Sequence, residues 1–194
     1  MKKPSRMKRK AKRVPDFLTV EEIDRLFVAI VSVRDRAMFR LAYHRGLRAS
    51  ELGLIQLSDY RPTVGRIFIR RLKGSNSGEY LLTKAEQHAL RAWLRERGTA
   101  AGALFSSRNH RPISRFRLGQ LMKRYCRSAG IPDVKAHMHA LKHSCGTHLS
   151  ARETDIVAIQ DHMGHANIQN TMIYIQITSK RRDEFAGRLA DWGR

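Results

Sequence analysis

The sequence predicts a mainly α-helical domain with a small antiparallel β-hairpin or sheet. Three observations carry this prediction. Apolar residues recur at helical spacing along most of the chain, Thr-x-x-Glu capping boxes at Thr19 and Thr83 open two of these stretches, and only one region alternates apolar and polar residues. With 194 residues, 42% of them hydrophobic, the chain is long enough to bury one core.

The first two predicted helices lead to a glycine and an arginine. The Thr19 capping box opens a helix whose inner face is Ile23, Leu26, Phe27 and Ile30. A second helix begins near Arg34 and ends at Gly46, with an inner face of Met38, Phe39, Leu41 and Ala42. Arg48 follows, just before a short helix that carries Glu51. An arginine near a helix start opposes the helix dipole, and taken alone it is most simply a surface residue paired with Glu51.

The alternating region predicts a hairpin over Arg66 to Arg71 and Glu79 to Leu82, with a Gly- and Ser-rich connection from Leu72 to Gly78. Lys73 lies at the root of that connection. An exposed lysine on a hairpin is usually a solvated charge, but this position also suits a proton donor that swings into a groove.

Two further helices follow the hairpin. The Thr83 capping box opens one with a core face of Leu90, Trp93 and Leu94 and an end at Gly98. The other begins near Ser114, ends at Gly130 and buries Leu118, Leu121, Met122 and Tyr125. Charged helix faces are usually just solvated. This one carries five cations and no acid, which favours DNA contact through Arg115, Arg117, Lys123, Arg124 and Arg127.

The helix over His139 to Leu149 places His139, Lys142 and His143 at spacings of three and four, so their side chains are expected to meet. A zinc site is the alternative. It is disfavoured because no glutamate follows the first histidine and no third ligand is suitably spaced. Two more helices are predicted near Thr154, burying Ile156, Val157 and Ile159, and near Asn167, burying Ile168, Met172 and Ile175. Tyr174 lies beside that last apolar stripe.

The charge balance identifies the class of partner. There are 38 Lys and Arg against 17 Asp and Glu, a formal net charge of +21, which predicts binding to a polyanion. Nucleic acid is favoured over a membrane because no stretch approaches the roughly 20 apolar residues of a spanning helix. Residues 1–13 carry eight Lys or Arg and no acid, so they are expected to be disordered when free, either as a solubilising tail or, more in keeping with the charge, as an arm that grips DNA phosphates. They have no apolar stretch and are therefore not a signal peptide. Cys126 and Cys145 form no disulfide framework, which indicates a reducing cytoplasm.

Three segments, in this order, resemble the catalytic domain of the tyrosine recombinase (phage integrase) family. The family's approximate T-G-L-R-x-S-E-L stands here as Arg45 to Leu52, and its H-x-L-R-H as His139 to His143. Its L-G-H with a tyrosine nine residues later stands as Met163 to His165 and Tyr174. The resemblance covers residues 16 to 180. The chain looks most like small single-domain members such as the fimbrial phase-variation invertases, so residues 14–194 are expected to be a catalytic domain without a separate N-terminal core-binding domain.

The resemblance implies a recombinase that joins Tyr174 to the 3′-phosphate of a cut strand, for DNA integration, excision or inversion. Arg48, His139 and His165 would hold the phosphate, and Lys73, which matches the family's catalytic lysine, would protonate the leaving 5′-oxygen. Glu51 would orient Arg48, and His143 would support the second motif. Cationic side chains would replace any metal or other cofactor, and they are expected to favour the phenolate of Tyr174.

Lys142 is the one departure, because it stands where the family has its second arginine. A lysine cannot offer the planar fork that grips two phosphate oxygens. If that fork acts in the transition state, its loss removes on the order of 2 to 4 kcal/mol, roughly a thirtyfold to thousandfold rate loss. Two alternatives therefore stay open: a DNA-binding regulator on the same fold, and a type IB topoisomerase-like enzyme that nicks and relaxes DNA.

The expected partners follow from strand exchange. Two duplexes and four active sites require a homo-tetramer on double-stranded DNA. Accessory DNA-bending proteins are possible further partners, and no membrane partner is expected. The protein is expected in the cytoplasm of a bacterium or phage-infected cell, associated with the nucleoid. Residues Ile175 to Arg194 are expected either to dock into a neighbouring protomer or to pack on their own domain through Phe185, Leu189 and Trp192.

Overall fold

The structure, a computed structural model, describes residues 15–72, 74–107, 111–152 and 154–175, together with residues 186, 187 and 190. The basic arm predicted over residues 1–13, Lys73, and the tail residues Phe185, Leu189 and Trp192 lie outside these ranges. The predicted fold class is confirmed: the described residues form a mainly helical domain with one small antiparallel sheet. No helix among them is both long and apolar enough to cross a bilayer.

The helices of the described residues are, in chain order, α1 (Val20–Ala29), α2 (Val33–His44), α3 (Ala49–Leu52), α4 (Lys84–Arg97), α5 (Arg115–Ser128), α6 (Met138–Ala151), α7 (Ile156–His162) and α8 (Gln169–Met172). Both predicted capping boxes are present, at Thr19 before α1 and at Thr83 before α4. Gly46 and Gly98 have positive φ angles just after α2 and α4, which agrees with their predicted role as helix ends.

Strand β1 (Tyr60–Arg61) pairs with β2 (Arg66–Ile69), which pairs with β3 (Gly78–Leu81), so that the sheet order is β1-β2-β3. The predicted hairpin is therefore present, although β2 ends before Arg70. The sequence did not indicate β1, because a two-residue strand has no period. Ile67 and Ile69 face the core from β2, whereas Phe68 between them is partly exposed.

The main core lies around α2, which packs against both α4 and α6. Its largest fully buried side chains include Phe39 and Phe105. Polar groups also join distant segments inside it. The Leu18 N–H donates to Ser144 Oγ (2.9 Å) and the Trp93 indole donates to the Leu104 carbonyl (2.8 Å). The second motif on α6 is thus fixed against the chain that precedes α1.

A smaller cluster covers the third motif, with Ile159, Met163 and Tyr174 fully buried in it. Two predictions for this part of the chain are wrong. Val157 is 59% exposed and Met172 is 46% exposed, while Tyr174, expected beside the apolar stripe, is only 2% exposed. For Met172 and Tyr174 the helical spacing failed because α8 has only four residues and ends at Met172. Tyr174 follows in a turn, so the 3.6-residue period no longer determines its direction.

Candidate active site

Arg48 is positioned by the turn between α2 and α3. It is the N-cap of α3, and Glu51 is the third residue of that helix. One carboxylate oxygen of Glu51 accepts the Arg48 N–H (2.9 Å), and the other accepts the Arg48 guanidinium (2.7 Å). The guanidinium also donates to Ser75 Oγ (3.0 Å) in the β2–β3 connection. Arg48 therefore makes the predicted pair with Glu51, but it is half-buried and held in one orientation.

Glu51 is completely buried. Burial alone would raise the pKa of its carboxyl group. The hydrogen bonds from the main chain and side chain of Arg48, together with the charge of Arg71, outweigh that effect, so the pKa of Glu51 is lowered. Glu51 therefore stays ionised at neutral pH and balances one of the positive charges around it.

Arg71 is a central residue of this region that the sequence did not indicate. Its side chain is fully buried, and its guanidinium donates to Glu51 (3.1 Å) and to the carbonyls of Arg45 (2.8 Å), Gly46 (3.2 Å) and His162 (3.1 Å). One side chain thus joins the first motif to the residues just before the third. Apart from Glu51, its partners are main-chain carbonyls from separate segments, which leave no local pattern.

Gly164 of the third motif lies directly against the connection between β2 and β3. Its carbonyl accepts the Asn76 N–H (3.0 Å), and a Cβ added at Gly164 would lie 2.8 Å from the Asn76 carbonyl oxygen and 2.9 Å from Arg71 Nε. Only glycine fits this close approach, which also has a positive φ of 64°. Lys73 belongs to the same connection but lies outside the described residues, so its role stays a prediction.

Lys142 hydrogen-bonds to main-chain carbonyls and not to the two histidines with which it was expected to meet. Its ammonium donates to the Gly46 carbonyl (2.8 Å) and, more weakly, to the Met163 carbonyl (3.5 Å). The side chain is 4% exposed. Burial, followed by the positive charges of Arg71 and Arg48, lowers its pKa to about 7. Near neutral pH, Lys142 is therefore close to half protonated.

His139 and His143 do meet on α6, with ring centroids 5.7 Å apart. His139 is at the surface, and partial desolvation followed by the charges of Lys142 and Arg48 lowers its pKa. Burial lowers the pKa of His143 to about 4, so that its ring is neutral at pH 7. A neutral ring has one nitrogen that can accept a hydrogen bond.

Tyr174 occupies a buried site between the second and third motifs. Its hydroxyl lies 3.0 Å from His143 Nδ1, and its ring stacks on that of His165. Gly146 makes room for it, because a Cβ there would lie only 2.5 Å from the tyrosine ring. Burial raises the pKa of Tyr174, and the charge of Arg48 offsets this only in part. The expectation that the surrounding cations would favour phenolate is therefore wrong for this arrangement.

His165 is buried, and its Nδ1 lies 2.9 Å from the Thr171 hydroxyl. Burial, followed by the charges of Lys142 and Arg48, lowers its pKa to about 4, so the ring is neutral at pH 7. When Thr171 donates to Nδ1, the single ring proton sits on Nε2, where it can be donated to a phosphate oxygen. The neutral ring thus keeps a hydrogen-bond donor without adding charge.

The cationic side chains predicted to contact DNA are all exposed along α5. Arg124 is the least free of them. It donates to the Tyr125 hydroxyl (2.8 Å) and lies 3.8 Å from the Asp35 carboxylate. Arg117 donates to the neighbouring Gln120 (3.1 Å). The structure gives Arg115, Lys123 and Arg127 no hydrogen bond or ion pair with any described residue, so their charges face solvent.

The structure thus gathers Arg48, Lys142, His165 and Tyr174 from three separate segments and leaves His139 at the edge of the group. Among the described residues no three His, Cys, Asp or Glu side chains form a cluster that could hold a metal ion. What the group offers is a set of cations and neutral hydrogen-bond donors beside one phenol. Such a set suits an anionic substrate that the phenol can attack.

Comparison with known proteins places the chain in a family. The profile of the phage integrase family matches residues 16–181. The type 1 fimbriae regulatory protein FimE of Escherichia coli K12 is 36% identical over 183 residues, which are 88% of this chain and 89% of FimE. Tyrosine recombinase XerD of Halalkalibacterium halodurans is 32% identical over 191 residues, covering 90% of this chain and 62% of XerD.

Solved structures agree with this result. The crystal structure of XerA recombinase superposes with a TM-score of 0.77 and 25% identity, over 92% of this chain and 66% of the XerA chain. XerH site-specific recombinase, in its pre-cleavage complex with difH, also gives a TM-score of 0.77, but at 24% identity that likeness shows the fold alone. The chain spans less than two thirds of these Xer proteins and most of FimE.

Proposed function

This chain belongs to the phage integrase family, the tyrosine-type site-specific DNA recombinases, and we propose that it cleaves and rejoins DNA strands through Tyr174. The observation that carries the proposal is the arrangement around His165: the Tyr174 ring stacks on it, and the charges of Lys142 and Arg48 lie close enough to lower its pKa. Arg48 comes from the turn before α3, Lys142 from α6 and His165 from the loop after α7.

In the proposed reaction the Tyr174 oxygen bonds to the scissile phosphorus, and the bond from phosphorus to the 5′-oxygen breaks. The phenol gives its proton to solvent, and the 5′-oxygen takes one from Lys73. Arg48, His139 and His165 stabilise the charge that develops on the non-bridging oxygens. Attack by the 5′-hydroxyl of a second strand reverses these steps and releases Tyr174. The ester retains the bond energy, so the exchange requires no nucleotide hydrolysis.

The described arrangement is a resting one in this proposal. Tyr174 is buried, its pKa is raised, and its hydroxyl is hydrogen-bonded to His143, so attack requires the phenol to leave this site or the site to open. A bound phosphate also changes the electrostatics, because its negative charge favours protonated Lys142. We propose that DNA binding both frees Tyr174 and charges Lys142.

Lys142 supports the alternative of a DNA-binding regulator with weakened catalysis. Its ammonium is already engaged with the Gly46 carbonyl, and it lacks the arginine fork. A form that binds its site without cutting would act as a regulator. We favour a working but slow recombinase, because Glu51 holds Arg48 in place and Tyr174 is present.

Double-stranded DNA is the proposed partner, and a tetramer is the proposed assembly on it. Residues 1–13 would add phosphate contacts without choosing sequence. The C-terminal residues 175–194 would dock on a neighbouring protomer. A groove of about 610 Å³, lined in part by Phe27, Tyr43 and Leu81, suits an apolar helix face. The proposed location is the bacterial nucleoid, in the cytoplasm, with accessory DNA-bending proteins.

A plasmid assay tests the proposal. DNA sites are first selected from a random pool by binding, and two copies are placed in one supercoiled plasmid. The proposed function predicts inverted or excised plasmids, and none with Tyr174→Phe. Relaxed plasmid without recombinants would show a topoisomerase-like enzyme instead. Tight binding with neither product would show a regulator that does not cut.

A further inference from the structure

The first turn of α5 exposes an aromatic residue between two arginines. Phe116 is 73% exposed and lies between Arg115 and Arg117. The structure gives its ring no stacking or cation contact with any described residue. A single exposed apolar side chain is common and proves nothing by itself. The residues around Phe116 indicate what its ring contacts.

Gly119, one turn after Phe116, is the second observation. Glycine in the interior of a helix is unfavourable relative to alanine. A Cβ added here would meet no other atom within 4 Å, so packing inside the protein does not require a glycine. Glycine is expected where another molecule comes close to the backbone. The open space beside Gly119, next to Phe116, therefore indicates a partner that approaches this face from outside.

The charge of the face identifies the partner as nucleic acid. Phe116 shares one side of α5 with Lys123 and Arg127, at the spacings that align residues along a helix. The helix has five cations and no acid. A protein or peptide partner would need a matching run of acids, whereas DNA supplies negative charge continuously and its major groove accepts a helix.

The face also lies close to the proposed cleavage site. A Cβ added at Gly53, the residue after α3, would lie 2.7 Å from the Ile113 carbonyl, immediately before α5 begins. Arg48 is at the other end of α3, whose four residues rise about 6 Å. Arg48 and the start of α5 therefore lie near the two ends of one short helix, and the proposal places the DNA across both.

We propose that Phe116 is a specificity-determining residue that contacts thymine methyl groups in the major groove beside the cleaved bond. Gly119 lets the DNA come close enough for that contact. The thymine methyl is the apolar group that the major groove presents, which makes it the natural partner of a phenyl ring. The inference rests on the proposed function, because it requires that the protein choose DNA sites.

Removing the thymine methyl tests the contact directly. Binding sites are selected from two random DNA pools, one containing thymine and one containing uracil in its place. Wild type is expected to prefer thymine at one or more positions in the first pool and to lose that preference in the second. For a selected site, replacing that thymine by uracil is expected to weaken wild-type binding about fourfold, the effect of one buried methyl-sized group.

Three variants complete the experiment. Phe116→Ala is expected to bind the thymine and uracil sites equally, whereas Val28→Ala, which changes an apolar residue 79% exposed on α1, is expected to behave as wild type. Gly119→Ala is expected to raise the thermal midpoint but weaken DNA binding several-fold. Unchanged binding by Gly119→Ala would overturn the close approach.

The outcomes separate this inference from the proposed function. Two outcomes would overturn the role of Phe116 and leave the recombinase proposal standing. In one, Phe116→Ala still prefers thymine at the selected site. In the other, replacing that thymine by uracil leaves wild-type binding unchanged. Failure of wild type to select any sequence from either pool would contradict both.

Discussion

The Tyr174 hydroxyl lies 3.0 Å from Nδ1 of His143, so the proposed nucleophile is hydrogen-bonded to the last residue of the second motif. The Tyr174 ring also fills the space beside Gly146, one turn further along α6, where a side chain would otherwise lie. Both contacts keep the phenol buried. The resting state of the protein is therefore defined by two residues, His143 and Gly146, that have no assigned role in the chemistry.

Gly146→Ala is expected to expel Tyr174 from its buried site, because the new methyl group would lie within 2.5 to 2.7 Å of three ring atoms. Acetylation of tyrosine by N-acetylimidazole, followed by peptide mass spectrometry, should then modify Tyr174 severalfold faster than in wild type. Cleavage of DNA should also begin sooner.

Gly119→Ala is the matched control for the acetylation measurement, which is made without DNA, since it adds the same methyl group to a helix where no other atom lies within 4 Å. It should leave Tyr174 as protected as in wild type. If Tyr174 in Gly146→Ala were as protected from acetylation as in wild type, the space beside Gly146 would not be what holds the ring.

Cleavage should depend on the protonation of Lys142. Its lowered pKa of about 7 means that the ammonium form disappears as the pH rises from 7 to 8.5. With subsaturating DNA, the cleavage rate should fall about tenfold over this range if only the charged form assists catalysis. Lys142→Arg, which stays charged, should give a flat profile and a higher rate. An equal decline in both proteins would assign the titration to another group.

The same pKa shift affects stability in a defined direction. The unfolded chain keeps Lys142 protonated up to about its ordinary pKa of 10.5, whereas the folded protein releases that proton above about 7. The unfolded state therefore binds more protons between these values, and this residue makes the protein more stable as the pH rises through the window. The free energy of unfolding of Lys142→Met, measured with urea, should therefore rise less with pH than that of wild type. An equal slope of unfolding free energy against pH in the two proteins would contradict this contribution.

Glu51→Gln is expected to destabilise the protein by about 3 kcal/mol, because it leaves the buried Arg71 without its counter-charge. It should also loosen Arg48, so that cleavage falls even at temperatures where the fold persists. Urea unfolding measures the first effect. The control is Glu79→Gln, whose partners Arg61 and Arg66 are exposed, and which should cost less than about 1 kcal/mol. Equal losses in the two variants would refute the central position of Glu51.

Removal of residues 180–194 should spare cleavage at a single site but prevent the tetramer from forming on DNA. Leu81→Glu should do the same, since it places a charge in the groove proposed to receive that segment, at a position 60% exposed. Size-exclusion chromatography with DNA measures both. A tetramer that persists in the truncated protein would exclude docking between protomers.

The parts of the fold that local chemistry determines could be predicted from the sequence. Thr19 and Thr83 mark helix starts through their own hydrogen bonds, and Gly46 marks a helix end through its positive φ. The three motifs also identified Arg48, Lys142, His165 and Tyr174, which the structure brings to one region. Their catalytic roles stay predictions.

What the sequence did not reveal depends on distant parts of the chain. Arg71 was missed because three of its four partners, at Arg45, Gly46 and His162, are carbonyls that any residue possesses. The direction of Lys142 was missed for the same reason. The pKa of Tyr174 was predicted in the wrong direction because the sequence shows which cations lie near it but not how deeply it is buried.

Formation of a covalent adduct shows directly whether Tyr174 is the nucleophile. Wild type and Tyr174→Phe are incubated with a selected site that carries a nick, so that cleavage traps the protein, and the product is digested and sequenced by mass spectrometry. We predict a nucleotide joined through its 3′-phosphate to the peptide that contains Tyr174, and no adduct with Tyr174→Phe. An adduct on another residue, or none with wild type and Lys142→Arg alike, would contradict the account.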